Sequence, residues 1–95
     1  MTNTATLPSV AGPGTGLGGA WRVIVLNDDH NTFESVALAL SKTLPSVSHA
    51  QGLSIADQIH NTGQSIVWSG HLELAEHYWD QLSGYGLTLA PLEKG

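Results

Sequence analysis

The chain has 95 residues, of which 41% are hydrophobic, contains no cysteine and carries a formal net charge of −5. This length supports one domain with a modest core. The lack of cysteine excludes disulfides, thiolate metal sites and cysteine nucleophiles. Three basic residues are too few to form the patch that neutralises nucleic-acid phosphates.

Residues 1–20 are rich in Gly, Thr, Ala and Pro without periodicity, which predicts a disordered N-terminal extension before a domain at 21–95. A G-x-G-x-x-G match at Gly14, Gly16 and Gly19 is rejected as a nucleotide site, because a strand follows it where a helix is required. No secretory or transit pattern and no membrane-spanning run is present. We therefore expect a cytoplasmic protein.

The segment Trp21–Leu26 is nearly all apolar and β-branched, which predicts a central strand. Asn31 is then the expected N-cap of a helix, with Glu34 completing a capping box. Pro45 ends this helix. One helical face carries apolar residues at helical spacing, namely Phe33, Val36, Ala37, Leu40 and Leu44.

Ser48 and Gln51 give a second capping-box signal, and Gly63 is the expected C-terminal cap of the helix that follows. The inward face of this helix is predicted to consist of Gly52, Ile55, Ala56 and Ile59.

Three further elements are predicted: a strand over Ser65–Trp68, a helix over His71–Ser83 and a strand over Leu87–Leu92. The residues expected inward on that third helix are Leu72, Ala75, Trp79 and Leu82. The order β-α-α-β-α-β predicts a small α+β domain, with a three-stranded antiparallel sheet and three helices packed on one face.

The turn "NDDHN" between the first strand and the first helix raises several possible functions. None of the five histidines lies in H-E-x-x-H, and "DDHNTF" lacks the glycine of a calcium loop, so a metal site is a minority interpretation. Adjacent Asp residues in a turn more often cap a helix. Two alternatives stay open: a small metal-dependent enzyme using Asp28, Asp29 and His60, and a purely structural interaction module.

A sharper hypothesis combines this turn with His60, in the last turn of the second predicted helix. If the first two helices pack side by side, His60 approaches Asn27 and Asp28, while Asp29 and Asn31 serve the helix start. The cavity beside this rim would be lined by Phe33, Val36, Ala56 and Ile59. A rim of acceptors next to an apolar hole suits an ammonium group attached to a hydrophobic side chain.

At these residues the chain resembles the ClpS family, the adaptors that hand N-degron substrates to a Clp AAA+ unfoldase–protease. The resemblance extends from Trp21 onward and is carried by "VIVLNDDHNTFESVALAL", "IHNTGQSIVW" and the closing "PLEKG". The ribosomal stalk protein's C-terminal domain shares the β-α-α-β-α-β plan. The shared fold by itself does not require the Asn-Asp pair and the His at these positions.

The resemblance implies that Asn27, Asp28 and His60 bind the free α-amino group of a substrate. Its bulky first residue (Leu, Phe, Tyr or Trp) would enter the apolar pocket, and neither a cofactor nor an enzymatic activity is implied. The remaining substrate-binding residues implied in this way are Asn31, Thr32, Phe33, Val36, Ala56, Ile59 and Thr88.

Two departures from the family pattern concern the pocket. The usual turn continues with Thr-Pro-Met, where this chain has Asn31, Thr32 and Phe33. In the family that Met acts against β-branched first residues, so Phe33 should reshape the mouth. A second Met is Ala56 here, which should leave extra room. We interpret the chain as a divergent member with altered selectivity among Leu and the aromatic residues.

A third departure concerns the partner. In the family, the outer face of the third helix docks on the N-terminal domain of an unfoldase of the ClpA or ClpC type. Glu73 keeps an acidic residue there, whereas Tyr78 replaces a frequent lysine. These two are the predicted partner-binding residues of an expected monomer. The extension at 1–20 is expected to engage the unfoldase during handover.

Overall fold

The computed structural model of the protein describes residues 20–95. The predicted extension at 1–20 therefore lies outside the described residues, apart from Ala20. The elements are β1 (Trp21–Leu26), α1 (Phe33–Thr43), α2 (His49–Thr62), β2 (Gln64–Gly70), α3 (Leu72–Gly84) and β3 (Glu93–Lys94). None of the helices in this part of the chain is long and apolar enough to cross a bilayer.

The three strands form one antiparallel sheet in the order β2-β1-β3, which confirms the predicted α+β fold. β1 is central, and its Val23 and Val25 are buried in the core cluster with residues of the helices. A register shift after Val23 bends the β1–β2 pair. At the other edge, the Arg22 guanidinium forms an ion pair of 2.7 Å with Glu93 of β3.

The last strand, β3, is shorter than the predicted strand Leu87–Leu92 and begins later in the sequence. The predicted segment before Pro91 forms no regular strand with β1, and its pairing is a single bridge between Val25 and Leu89. Two backbone hydrogen bonds flank it, from Leu26 N–H to the Thr88 carbonyl at 2.8 Å and from Ala90 N–H to the Ile24 carbonyl at 3.0 Å. Regular pairing with β1 resumes only at β3, where the register differs by one residue from that of the Val25–Leu89 bridge.

The start of α1 differs from the prediction, whereas both ends of α2 agree with it. Thr32, and not Asn31, is the N-cap of α1, and its box partner is Ser35, not Glu34. The cap shifts because the Asn31 side-chain amide is engaged elsewhere, with Asp28 and Gly86. The predicted Ser48–Gln51 capping box and the left-handed Gly63 cap of α2 are confirmed.

The helices α1 and α2 touch most closely where Gly52 faces Ala37. A Cβ built on Gly52 would lie 2.8 Å from the Ala37 carbonyl oxygen and 2.9 Å from its Cα. This approach fixes the spacing of the two helices that hold the candidate site. α3 covers the sheet with buried Ala75 and Leu82, while Leu72, expected inward, is 38% exposed.

Candidate functional site

A pocket of about 240 Å³ opens where β1 ends, between the beginning of α1 and the end of α2. Its apolar part is formed by Val36, Ala56 and Ile59, which lie on the buried faces of the two helices. Polar side chains also line it. The lining residues are Val25, Leu26, Asn27, Asp28, Asn31, Phe33, Val36, Ala56, Ile59, His60 and Leu87.

The carboxylate of Asp28 organises the turn beside this pocket. Its Oδ1 accepts hydrogen bonds from the backbone N–H groups of His30 and Asn31, both at 2.8 Å. Its Oδ2 accepts from the Asn31 side-chain amide at 3.0 Å and from the Thr88 hydroxyl at 2.8 Å. An ionised carboxylate has about four acceptor sites. Protein donors therefore fill them, and Asp28 presents a fixed negative charge to the pocket.

The same contacts set the ionisation of Asp28. Partial burial by itself raises the pKa of the carboxyl, but the hydrogen bonds donated by Thr88, Asn31 and His30 outweigh it. The pKa of Asp28 is therefore held well below its usual range. Asp28 keeps its charge throughout the neutral and mildly acidic range.

Replacing Thr88 by Val should raise the pKa of Asp28, because the bond from the Thr88 hydroxyl is the first of the contacts that lower it. A carboxyl whose folded pKa is depressed stabilises the protein above its unfolded pKa of about 3.9, and this stabilisation is lost as the pH falls through the folded value. Thr88→Val should therefore lower stability most at neutral pH. Carbon-detected NMR titration of the Asp28 carboxyl and denaturation at several pH values measure both effects.

The control for this prediction is Thr88→Ser, which retains a hydroxyl at the same position and should keep the low pKa. An unchanged Asp28 pKa in Thr88→Val would show that the Thr88 hydroxyl does not stabilise the carboxylate.

Asn27 and His60 complete the polar side of the pocket. The backbone N–H of Asn27 donates to the Gly63 carbonyl at 2.9 Å, which joins the end of β1 to the cap of α2. Neither the Asn27 amide nor the His60 imidazole has a side-chain hydrogen-bond partner within residues 20–95. Both side chains are exposed and available to a ligand. The His60 ring lies against Phe33, with centroids 5.3 Å apart and planes at 63°.

The structure brings together eight of the ten predicted substrate-binding residues. They are Asn27, Asp28, Asn31, Phe33, Val36, Ala56, Ile59 and His60. The other two do not line the pocket: Thr32 caps α1, and Thr88 supports Asp28 from outside.

Three residues that line the pocket were not identified by the sequence analysis. Val25 could have been found from the inward alternation of β1, which it shares with Val23. Leu26, at the end of the same strand, was not among the predicted lining residues either. Leu87 comes from an irregular segment, and no local pattern indicated it.

The division of roles within the turn is also different from the expectation. Asp29 was expected to serve the helix start, but it is exposed and has no hydrogen bond within the described residues. Asp28 both lines the pocket and receives the turn's N–H groups.

The predicted partner-binding residues both lie on α3 and neither lines the pocket. Glu73 is exposed in the first turn of the helix. Tyr78 is half-buried and packs edge-on against Trp68, with ring centroids 5.0 Å apart and an interplanar angle of 71°. The Tyr78 ring thus belongs to an aromatic cluster that extends to His77.

The metal-enzyme alternative needs Asp28, Asp29 and His60 to converge. Across residues 20–95 no three His, Asp or Glu side chains lie close enough together to share a metal ion. Asp28 is also occupied by four protein donors.

Comparison with known proteins identifies the class as protease adaptor, which is not an enzyme. Residues 18–90 match the family described as ATP-dependent Clp protease adaptor protein ClpS. The chain is 49% identical over 73 residues to the ClpS adapter of Thermosynechococcus vestitus, covering 77% of this chain and 78% of that protein. The Nostoc ClpS adapter is likewise 49% identical over 73 residues, covering 77% and 75%. The chain belongs to the ClpS family, as its resemblance indicated.

A solved structure is similar in fold. It is Agrobacterium tumefaciens ClpS2 bound to L-phenylalaninamide, with a TM-score of 0.74 and 21% identity, covering 82% of this chain and 99% of that one. The fold predicted from the order of elements is therefore that of a ClpS protein.

Proposed function

We propose that this adaptor binds N-degron substrates through their free α-amino group and bulky hydrophobic first residue. The single observation that carries the proposal is that Asn27, Asp28 and His60 line the same pocket as the apolar Val36, Ala56 and Ile59. The Asn27 oxygen and a His60 ring nitrogen can accept N–H groups, while Asp28 supplies the opposing charge. The first side chain then contacts the apolar interior.

The binding free energies show that useful affinity needs both the polar and the apolar part of the site. Burial of a large apolar side chain contributes roughly 1.5–3 kcal/mol. Each hydrogen bond to a charged group contributes about 1.5–3 kcal/mol. Micromolar affinity needs about 8 kcal/mol. Neither contribution is sufficient alone, so a ligand must carry a free N-terminus and a large first residue.

The ligand of the structural relative supports this chemistry. Agrobacterium ClpS2 was solved with L-phenylalaninamide, which has a primary amine on the carbon that bears a benzyl side chain. The pocket of the present chain has a polar side for such an amine and an apolar interior for such a ring. Phe33 narrows its mouth and Ala56 leaves space within, so we propose a selectivity among Leu, Phe, Tyr and Trp that differs from that of Met-containing relatives.

Delivery to a Clp AAA+ unfoldase in the cytoplasm is the second half of the proposal. The outer face of α3, with the exposed Glu73 and the neighbouring half-buried Tyr78, is the proposed contact with the unfoldase's N-terminal domain. Residues 1–20 are the proposed extension that engages the unfoldase, and residues 21–95 form the adaptor core.

Fluorescence anisotropy with short labelled peptides tests the binding function. Peptides beginning with Leu, Phe, Trp or Tyr should include tight binders, whereas those beginning with Ala should bind weakly. N-acetylation removes the charge and leaves one neutral N–H in place of three charged ones, so it should weaken binding at least tenfold, because one lost charged hydrogen bond is already worth about 1.5 kcal/mol. Equal binding of free and acetylated peptides would show that no amino group is recognised.

A further inference from the structure

The ring of His60 lacks the usual means of orientation. A functional histidine is generally oriented by a hydrogen bond to its second ring nitrogen. His60 has no such bond within residues 20–95, although it stands exposed at the end of α2. Its imidazole instead packs on Phe33, with ring centroids 5.3 Å apart and planes inclined at 63°. This is the edge-to-face arrangement that aromatic pairs prefer.

Phe33 is placed to restrict His60. It is the first residue of α1, next to the Thr32 cap, so its backbone is held by the capping box. Its side chain is 42% exposed, whereas Val36, Ala56 and Ile59, which form the interior of the pocket, are at most 8% exposed. Phe33 therefore contributes less to the apolar interior than to the mouth, where His60 lies.

We propose that Phe33 is a positioning residue for His60, whose ring it holds at the pocket mouth in the orientation that accepts an N–H of the substrate's amino group. This inference rests on the proposed function. It differs from the idea that Phe33 only sets the size of the mouth. If Phe33 only sets the size of the mouth, its effect on binding depends on the first side chain of the substrate. If Phe33 positions His60, its effect on binding depends on the amino group of the substrate.

The test uses the ratio of dissociation constants for acetylated and free peptides of the same sequence, beginning with Leu. Phe33→Leu removes the ring and keeps an apolar residue, and it should lower this ratio by about 2- to 12-fold, the usual range for an aromatic pair. Phe33→Tyr keeps the ring and should preserve the ratio. Leu38→Ala is the matched control, because Leu38 is similarly exposed on α1, at 44%, and lies outside the pocket.

A double-mutant cycle with His60→Ala isolates the coupling. In the His60→Ala background, Phe33→Leu should leave the ratio unchanged, since no imidazole remains to be held. If Phe33→Leu weakens free and acetylated peptides by the same factor, or still lowers the ratio without His60, the positioning role is wrong.

A ligand-free measurement separates this inference from the proposed function. In the free protein, the His60 ring protons should shift in the NMR spectrum on Phe33→Leu and stay nearly unshifted on Phe33→Tyr. A wild-type ratio near one contradicts the proposed function, and the positioning role with it. A high wild-type ratio with unshifted His60 resonances in Phe33→Leu overturns the positioning role alone.

Discussion

Asp28→Ala should weaken binding of a free N-terminal peptide by at least about 100-fold, the largest effect expected of any single substitution in the pocket. The variant loses the charge that faces the ammonium group. It also releases the four donors that fix the turn beside Asn27. Loss of the facing charge and of the turn that positions Asn27 weakens the ammonium's hydrogen bonds to Asn27 and His60, which are worth about 1.5–3 kcal/mol each, so we expect a loss of about 3 kcal/mol. Fluorescence anisotropy with a peptide that begins with Leu measures this loss of affinity.

The chain supplies a matched control in the next residue. Asp29 carries the same charge, but it is exposed and does not line the pocket, so Asp29→Ala should change affinity less than about twofold. Asp28→Asn keeps the shape and one acceptor oxygen while removing the charge. Its affinity for the peptide should lie between the affinities of Asp28→Ala and Asp29→Ala. Comparable losses from Asp28→Ala and Asp29→Ala would mean that only the net negative potential of the turn matters. Thermal unfolding of each variant establishes that the fold is retained.

Gly52→Ala should destabilise the protein by about 1–3 kcal/mol, the usual cost of adding atoms to a packed interface. The new methyl group would lie 2.8 Å from the Ala37 carbonyl oxygen. A backbone atom cannot rotate away as a side chain can, so α1 and α2 must separate. Because the pocket lies between these helices, the folded variant should also bind peptides more weakly. Urea denaturation gives the change in the free energy of unfolding.

Gly84→Ala is the control for this prediction. Gly84 ends α3, and a Cβ built there has nothing within 4 Å. The same substitution should therefore be neutral or stabilising by up to about 1 kcal/mol, through reduced freedom of the unfolded chain. Equal unfolding free energies for the two variants would contradict a tight contact at Gly52.

The parts of the fold that local patterns determine could be predicted from the sequence. The Ser48–Gln51 box and the Gly63 cap involve groups within a few positions of one another, so their residues are sufficient evidence. The pocket walls on α1 and α2 followed from helical periodicity, since Val36, Ala56 and Ile59 are buried as expected.

The remaining differences between the predictions and the structure arise from contacts between residues that are far apart in the sequence. Asn31 has the side chain of an N-cap, but it donates to the carbonyl of Gly86, 55 positions away, and Thr32 takes over the cap. Asp28 was expected to face the cavity, yet its bond with Thr88 across 60 positions was not foreseeable from the turn. The late start of the last strand likewise depends on its pairing with the distant β1, where the register changes by one residue after the Val25–Leu89 bridge.

The long-range bonds of the turn also bear on when the site forms during folding. Asp28 is held by Thr88 and, through Asn31, by Gly86. Closing such long loops carries an entropic cost that local helix formation does not. The binding-competent turn is therefore a late product of folding. A nascent chain that has made only β1, α1 and α2 has every residue of the polar rim and the local donors of Asp28, but it lacks the Thr88 hydroxyl and the Gly86 carbonyl that complete the turn.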